Sequence, residues 1–115
     1  MQIEMSAVPL SIISGLIIAS FENSFSKKIF ISISHSKNFV AFAHDTSPIG
    51  IDIEELNPRI LKVWSRYLHP EEFAIFDTTS IFDLTVAWTI KEALFKLNTK
   101  TGIDFKNDLR IKSKE

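Results

Sequence analysis

Pro48-Ile49-Gly50-Ile51-Asp52-Ile53-Glu54-Glu55, PIGIDIEE, decides how the rest of this chain is read. Ile49, Ile51 and Ile53 alternate with Gly50, Asp52 and Glu54. That is the period of a β-strand, in which every second residue shares a face. One face is then three isoleucines, and the other is a glycine followed by two carboxylates. Neighbouring carboxylates repel and raise each other's pKa unless a cation lies between them. The stretch contains no basic residue, so the cation is either a metal or a solvent counter-ion.

Working outward, KIFISISHS (Lys28–Ser36) alternates Ile29, Ile31, Ile33 with Phe30, Ser32, Ser34, and NFVAFAH (Asn38–His44) follows it. Both are rich in β-branched and aromatic residues and read as strands. Asp45-Thr46-Ser47-Pro48 has the composition of a turn. Three strands on short links predict one antiparallel meander. Beyond it the period changes. Asn57-Pro58 is a helix start, ahead of apolar residues at helical spacing from Arg59 to Leu68. Pro70 opens a short helix carrying Glu71 and Glu72 at its positive end. Ser80 with Asp83 predicts the cap of a long helix running to about Leu97. Its expected buried stripe is Val86, Ile90, Ala93 or Leu94, and Leu97. The isoleucine face of Ile49–Glu54 is the expected partner of that stripe. Trp88, Glu92 and Lys96 fall four apart on a neighbouring face. Gly102 ends the helical region, and Ile103–Ile111 is expected to be strand. The fold class is α+β, an antiparallel sheet packed against helices.

Composition sets limits on function. The chain has 115 residues, 45% of them hydrophobic, with ten phenylalanines and a formal net charge of −1. It is a single globular domain by size and core content. Without a basic excess it has no surface to meet the phosphates of a nucleic acid, so none is expected as a partner. Cysteine is absent, which excludes thiolate metal sites and suits a reducing, cytoplasmic setting. Ala7–Phe21 is apolar. It is short for a membrane span and lacks the basic residues that precede a secretory signal. It is read as core, either a helix or two short strands, and no membrane partner is expected.

Asp52 and Glu54 alone could be a wet sheet face, His35 a solvated strand end, and Glu92 with Lys96 a surface ion pair worth a few tenths of a kcal/mol. A magnesium-dependent phosphodiesterase using Asp52 and Glu54 would also fit the acids, but it leaves the helix motif unexplained.

Taken in order, SISHS, PIGIDIEE and AWTIKEALFKL resemble the signature of the 4′-phosphopantetheinyl transferases, specifically the larger, surfactin-synthetase-activating type. The resemblance runs from about Lys28 to about Ile111. It implies magnesium-dependent transfer of the phosphopantetheine arm of coenzyme A to a serine of an acyl or peptidyl carrier protein, as in fatty acid or polyketide synthesis. It implies Asp52, Glu54 and Glu92 as metal ligands. Ser34 and His35 match residues at the coenzyme A phosphates, and Lys96 matches a lysine at the pyrophosphate. Lys91 belongs to the same motif and is counted with Ser34, His35 and Lys96 among the expected coenzyme A-binding residues. Glu72 matches an acid near the carrier serine, so Glu72, Glu92 and Lys96 are the expected catalytic groups. The larger members are built from two similar halves. Residues 1–48 would then be the end of the first and 49–115 the start of the second. An enzyme incomplete at both ends is the expectation, one that self-associates or needs the missing half. The alternative is a non-catalytic or partner-dependent fragment that still binds magnesium and coenzyme A.

Overall fold

The computed structural model describes Ile3–Glu4, Leu10–Ile13, Leu16–Ser20, residues 29–98 and residues 101–112. In chain order its elements are β1 (Ile3–Glu4), β2 (Leu10–Ile13), β3 (Leu16–Ser20), β4 (Phe30–Ser36), β5 (Phe39–Asp45), β6 (Ile49–Ile53), α1 (Ile60–Val63), α2 (Ile81–Leu97) and β7 (Leu109–Arg110). The fold is α+β, with antiparallel strands packed against α2 and a short parallel β1–β7 pair. Within the apolar N-terminal segment, the described residues form two strands rather than a helix. The rest of Ala7–Phe21, and Lys28 at the head of the expected SISHS strand, lie outside the described residues.

The expected three-strand meander does not form. β4 and β5 pair antiparallel, with Ile33 opposite Phe42 and Ser34 opposite Ala41. β6 pairs instead with β3, placing Asp52 opposite Ile17 and Gly50 opposite Ala19. The other edge of β6 meets β4 through side chains. Ser32 Oγ accepts from the Ile51 N–H at 3.1 Å, and Ser34 Oγ accepts from the Ile53 N–H at 3.1 Å. Serine hydroxyls thus satisfy edge donors that would otherwise need a ladder partner.

A second expectation is corrected where α2 meets the sheet. The helix crosses the Gly50 face of β6, not the isoleucine face. A Cβ at Gly50 would strike the Ala93 carbonyl oxygen and lie 2.8 Å from the Leu97 amide nitrogen. Only glycine lets the two backbones approach this closely. The main apolar cluster lies elsewhere, where Leu84, Ala87, Ile90, Ala93, Leu94 and Leu97 of α2 pack with Tyr67, Leu68, Phe76, Leu109 and Ile111. Val86 is only partly buried.

Local signals explain the helical region. Ser80 Oγ accepts from the Asp83 N–H at 3.1 Å and caps α2 as its spacing predicted. Asn57 Oδ1 accepts from the Arg59 N–H at 2.9 Å ahead of α1. The helix expected from Arg59 to Leu68 is one α-turn continued by a 3₁₀ turn, Trp64–Arg66. Pro70–Glu72 is also 3₁₀, and His69 caps it. Its Nδ1 accepts from the Glu71 N–H while Glu72 Oε1 accepts from the His69 N–H. Of Ile103–Ile111, only Leu109–Arg110 is strand. Asp104 and Asp108 instead bond backbone amides to make turns. Among the described residues no helix is long and apolar enough to cross a membrane.

Candidate active site

Gly50 and Asp52 lie on the face of β6 that α2 covers, and Glu54 follows the strand, so the close approach at Gly50 brings the helix's polar residues over the two acids. Trp88, Glu92 and Lys96 are the residues α2 presents there. Trp88 Nε1 donates to Glu54 Oε1 at 3.1 Å. Lys96 Nζ donates to Asp52 Oδ1 at 3.1 Å, to the Ile51 carbonyl at 3.1 Å and to the Ile33 carbonyl at 3.4 Å. The ammonium therefore spends its three protons on one carboxylate and on the backbones of β4 and β6.

The three acids sense one another. Burial first, and then the charge of neighbouring Asp52, push the Glu54 carboxyl from its ordinary 4.5 up to about 7. The Trp88 bond opposes this, and the Glu92 charge adds to it. Glu92 is also raised, by burial first and then by Asp52, with Lys96 pulling the other way. Asp52 is 3% exposed. Its Oδ1 takes both Lys96 and Ser34, while its Oδ2 is buried with no hydrogen-bond partner. An orphaned carboxylate oxygen beside two acids whose charged forms are disfavoured suits a hard, oxygen-seeking cation. No group of three or more His, Cys, Asp or Glu among the described residues forms a ready cage for one. Magnesium does not need such a cage. It is commonly held by one or two carboxylates, with water and substrate phosphate completing the octahedron.

Ser34 and His35 do not share a face, as adjacent strand residues cannot. Ser34 is 5% exposed and its hydroxyl is spent, donating to Asp52 Oδ1 at 3.0 Å and accepting from Ile53. His35 is exposed on the other side of β4. Lys91 and Glu72 stand apart from the acid face. Lys91 is 0% exposed, and its Nζ donates to Glu72 Oε1 at 2.6 Å, the Tyr67 carbonyl at 2.6 Å and the Phe105 carbonyl at 2.9 Å. Glu72, also buried, accepts from His69, Lys91 and the Ile111 N–H. This pair ties α2 to the turn before it and to the segment from Phe105 to Ile111. Burial drives the Lys91 pKa down, and Glu72 resists that shift.

Sequence reasoning missed the groove that opens beside Glu54. It measures about 490 Å³ and is lined by Tyr67, Trp88 and Phe105 with Arg59 and Arg66. Trp88 stacks on Phe105 at 5.3 Å between ring centroids and meets Tyr67 at 5.0 Å. The available signal was Trp88, one turn before Glu92 on the same helix face.

Residues 48–113 match the family model of the 4′-phosphopantetheinyl transferase superfamily. The chain is 36% identical over 81 residues to the 4′-phosphopantetheinyl transferase psf-1 of Bacillus pumilus, covering 64% of this chain and 33% of that protein. It is 33% identical over 75 residues to the 4′-phosphopantetheinyl transferase gsp of Aneurinibacillus migulanus, covering 59% and 30%. Against a 4′-phosphopantetheinyl transferase of Bacillus subtilis it is 32% identical over 72 residues, covering 56% and 31%. The matched stretch is thus about a third of the length of each of these relatives. No solved structure matches. With more than half of its residues inside the family model, this chain belongs to the 4′-phosphopantetheinyl transferase superfamily.

Proposed function

We propose that the chain transfers the 4′-phosphopantetheine group of coenzyme A to a serine of an acyl or peptidyl carrier protein, with magnesium. The observation that carries this reading is Asp52, buried with one orphaned oxygen and electrostatically coupled to Glu54 and Glu92. Family membership supplies the reaction class. Asp52 and Glu54 would hold the ion, which when bound would neutralise phosphate oxygens and orient them for in-line displacement.

The chain's own residues account for the remainder of the step. In the transfer, the serine oxygen bonds to the β-phosphorus of coenzyme A and the bond to adenosine 3′,5′-bisphosphate breaks. The serine proton needs an acceptor. Glu92, raised by burial and by Asp52, is a better base near neutral pH than an ordinary surface carboxylate. Lys96 brings a positive charge to the same face and stabilises the pyrophosphate as charge builds on the leaving group. His35, on the open side of β4, is free to meet a phosphate, whereas the Ser34 hydroxyl is engaged. Glu72 and Lys91 act through the fold, since each is buried in contacts with protein atoms.

A second reading is favoured by one feature. Ile31, Ile33, Val40 and Phe42 form an exposed apolar face on the β4–β5 pair. Under that reading the chain binds magnesium and coenzyme A but transfers only when further polypeptide covers this face. Both readings are tested by incubating the chain with coenzyme A, magnesium and an apo carrier protein, and weighing the carrier by mass spectrometry. Transfer by the wild type and none by Asp52→Ala supports the first. Magnesium-dependent coenzyme A binding without transfer supports the second, and absence of both removes the functional reading.

A further inference from the structure

We propose that Ser34 is a positioning residue for Asp52: its hydroxyl fixes Oδ1 so that Oδ2 is left aimed at the cation. This rests on the metal-site reading above. It gives Ser34 a different task from the phosphate contact that the motif suggested. The Ser34 hydroxyl has one proton, which goes to Asp52 Oδ1 at 3.0 Å. One of its lone pairs accepts from the Ile53 N–H at 3.1 Å, and that bond fixes where the hydroxyl sits. At 5% exposure the group has no room to turn toward a ligand. A chain of two hydrogen bonds therefore runs from the β6 backbone through Ser34 to the acid's inner oxygen. Lys96 holds the same oxygen from the other side. The other oxygen, Oδ2, is also buried and has no hydrogen-bond partner. The carboxylate is thereby divided into an anchored atom and an unpaired one, the arrangement by which outer contacts orient a metal ligand.

The fold contains its own control. Ser32 sits two residues earlier on the same face of β4, is equally buried, and caps the Ile51 N–H at the same 3.1 Å. Its hydroxyl has no bond to Asp52. Ser32→Ala and Ser34→Ala thus remove equivalent edge contacts, and only Ser34→Ala frees the carboxylate.

Binding of manganese(II) by the 115-residue chain, read by electron paramagnetic resonance, tests the assignment without reference to activity. Ser34→Ala is expected to weaken manganese binding on the order of tenfold, the size seen when an outer contact to a metal ligand is lost. Ser32→Ala should stay near the wild type, and Asp52→Asn should bind no ion at this face. Ser34→Thr and Ser34→Val, which share a shape and differ by the hydroxyl, give a second comparison that does not depend on the alanine variant folding. Thr should restore affinity and Val should not. Equal effects of Ser32→Ala and Ser34→Ala, or equal affinities for the Thr and Val variants, would overturn the positioning role while leaving the metal site standing. Manganese binding that survives Asp52→Asn, or none by the wild type, would overturn the metal reading and this inference with it.

Discussion

Gly50→Ala tests the contact that builds the site. The added methyl would overlap the Ala93 carbonyl oxygen, lie 2.8 Å from the Leu97 nitrogen and 3.1 Å from the Ala93 carbonyl carbon. Non-bonded heavy atoms settle at roughly 3.5–4 Å, so α2 must retreat from β6 by on the order of 1 Å. Nothing flexible can absorb that movement, because all three opposing atoms are helix backbone. Overpacking a core costs about 1–3 kcal/mol, and a backbone clash belongs at or above the top of that range. For a domain of this size, ~3 kcal/mol lowers Tm by on the order of 10 °C. The loss at the site should be larger in proportion. Ala93 and Leu97 adjoin Glu92 and Lys96, so the same retreat lifts both from Asp52, and a misplacement of about 1 Å can cost ~100-fold in rate. Thermal denaturation followed by circular dichroism reads the first effect, and the carrier-protein assay reads the second. Gly102→Ala is the comparison. Gly102 has a φ of 74° and open space around its Cβ position, so alanine there costs only backbone strain, about 1 kcal/mol. A Gly50→Ala chain that melts within about 2 °C of the wild type would show that α2 does not rest on the β6 backbone.

Two further perturbations probe burial and charge. Lys91→Met strands the Glu72 carboxylate in the interior and should cost ~3–5 kcal/mol, whereas Lys91→Met with Glu72→Leu recovers most of the loss. Chemical denaturation of both variants checks this, and a loss below about 1 kcal/mol in the single variant would mean the pair is not buried in solution. The raised Glu54 pKa sets a pH dependence. Because its folded value of about 7 exceeds its ordinary 4.5, the folded state holds the proton more tightly than the unfolded state. The associated stability is present at low pH and is lost as pH rises from about 4.5 to about 7. Melting curves in chelator should show that decline, and magnesium should restore more stability at pH 8 than at pH 5. Equal restoration at both would remove Glu54 from the cation site.

The face periodicities were legible because they are local. Ile49, Ile51 and Ile53 against Gly50, Asp52 and Glu54 marked the strand, and the four-residue spacing of Trp88, Glu92 and Lys96 put those three on one side of α2. Ser80 and Asp83 marked the start of α2 for the same reason, since a cap is made within one turn. Strand pairing was not legible. Short links between β4, β5 and β6 argued for a meander, but nothing near β6 in sequence reveals that β3 has the matching edge, or that Ser32 and Ser34 close the other one. The orientation of β6 was misread for a related cause. An apolar strand face is ordinarily the one a helix covers, yet a glycine admits a helix backbone where no side chain can follow.

The same limit explains the two charged residues whose places differ most from the motif's suggestion. Lys91 sits between Ile90 and Glu92, and a lysine at that position reads as solvent-facing because burial of an ammonium is costly. The groups that oppose that cost are all distant in sequence: Glu72, nineteen residues earlier, and the carbonyls of Tyr67 and Phe105. Glu72 in turn accepts from the Ile111 N–H, thirty-nine residues later. Lys91, which shares the helix motif with Glu92 and Lys96, therefore serves with Glu72 to fix α2, and α2 carries Glu92 and Lys96 to Asp52 and Glu54. The motif joins two tasks, presenting charge to the acid face and anchoring the helix that presents it. Only burial separates them, with Lys96 partly open beside Asp52 and Lys91 closed against Glu72.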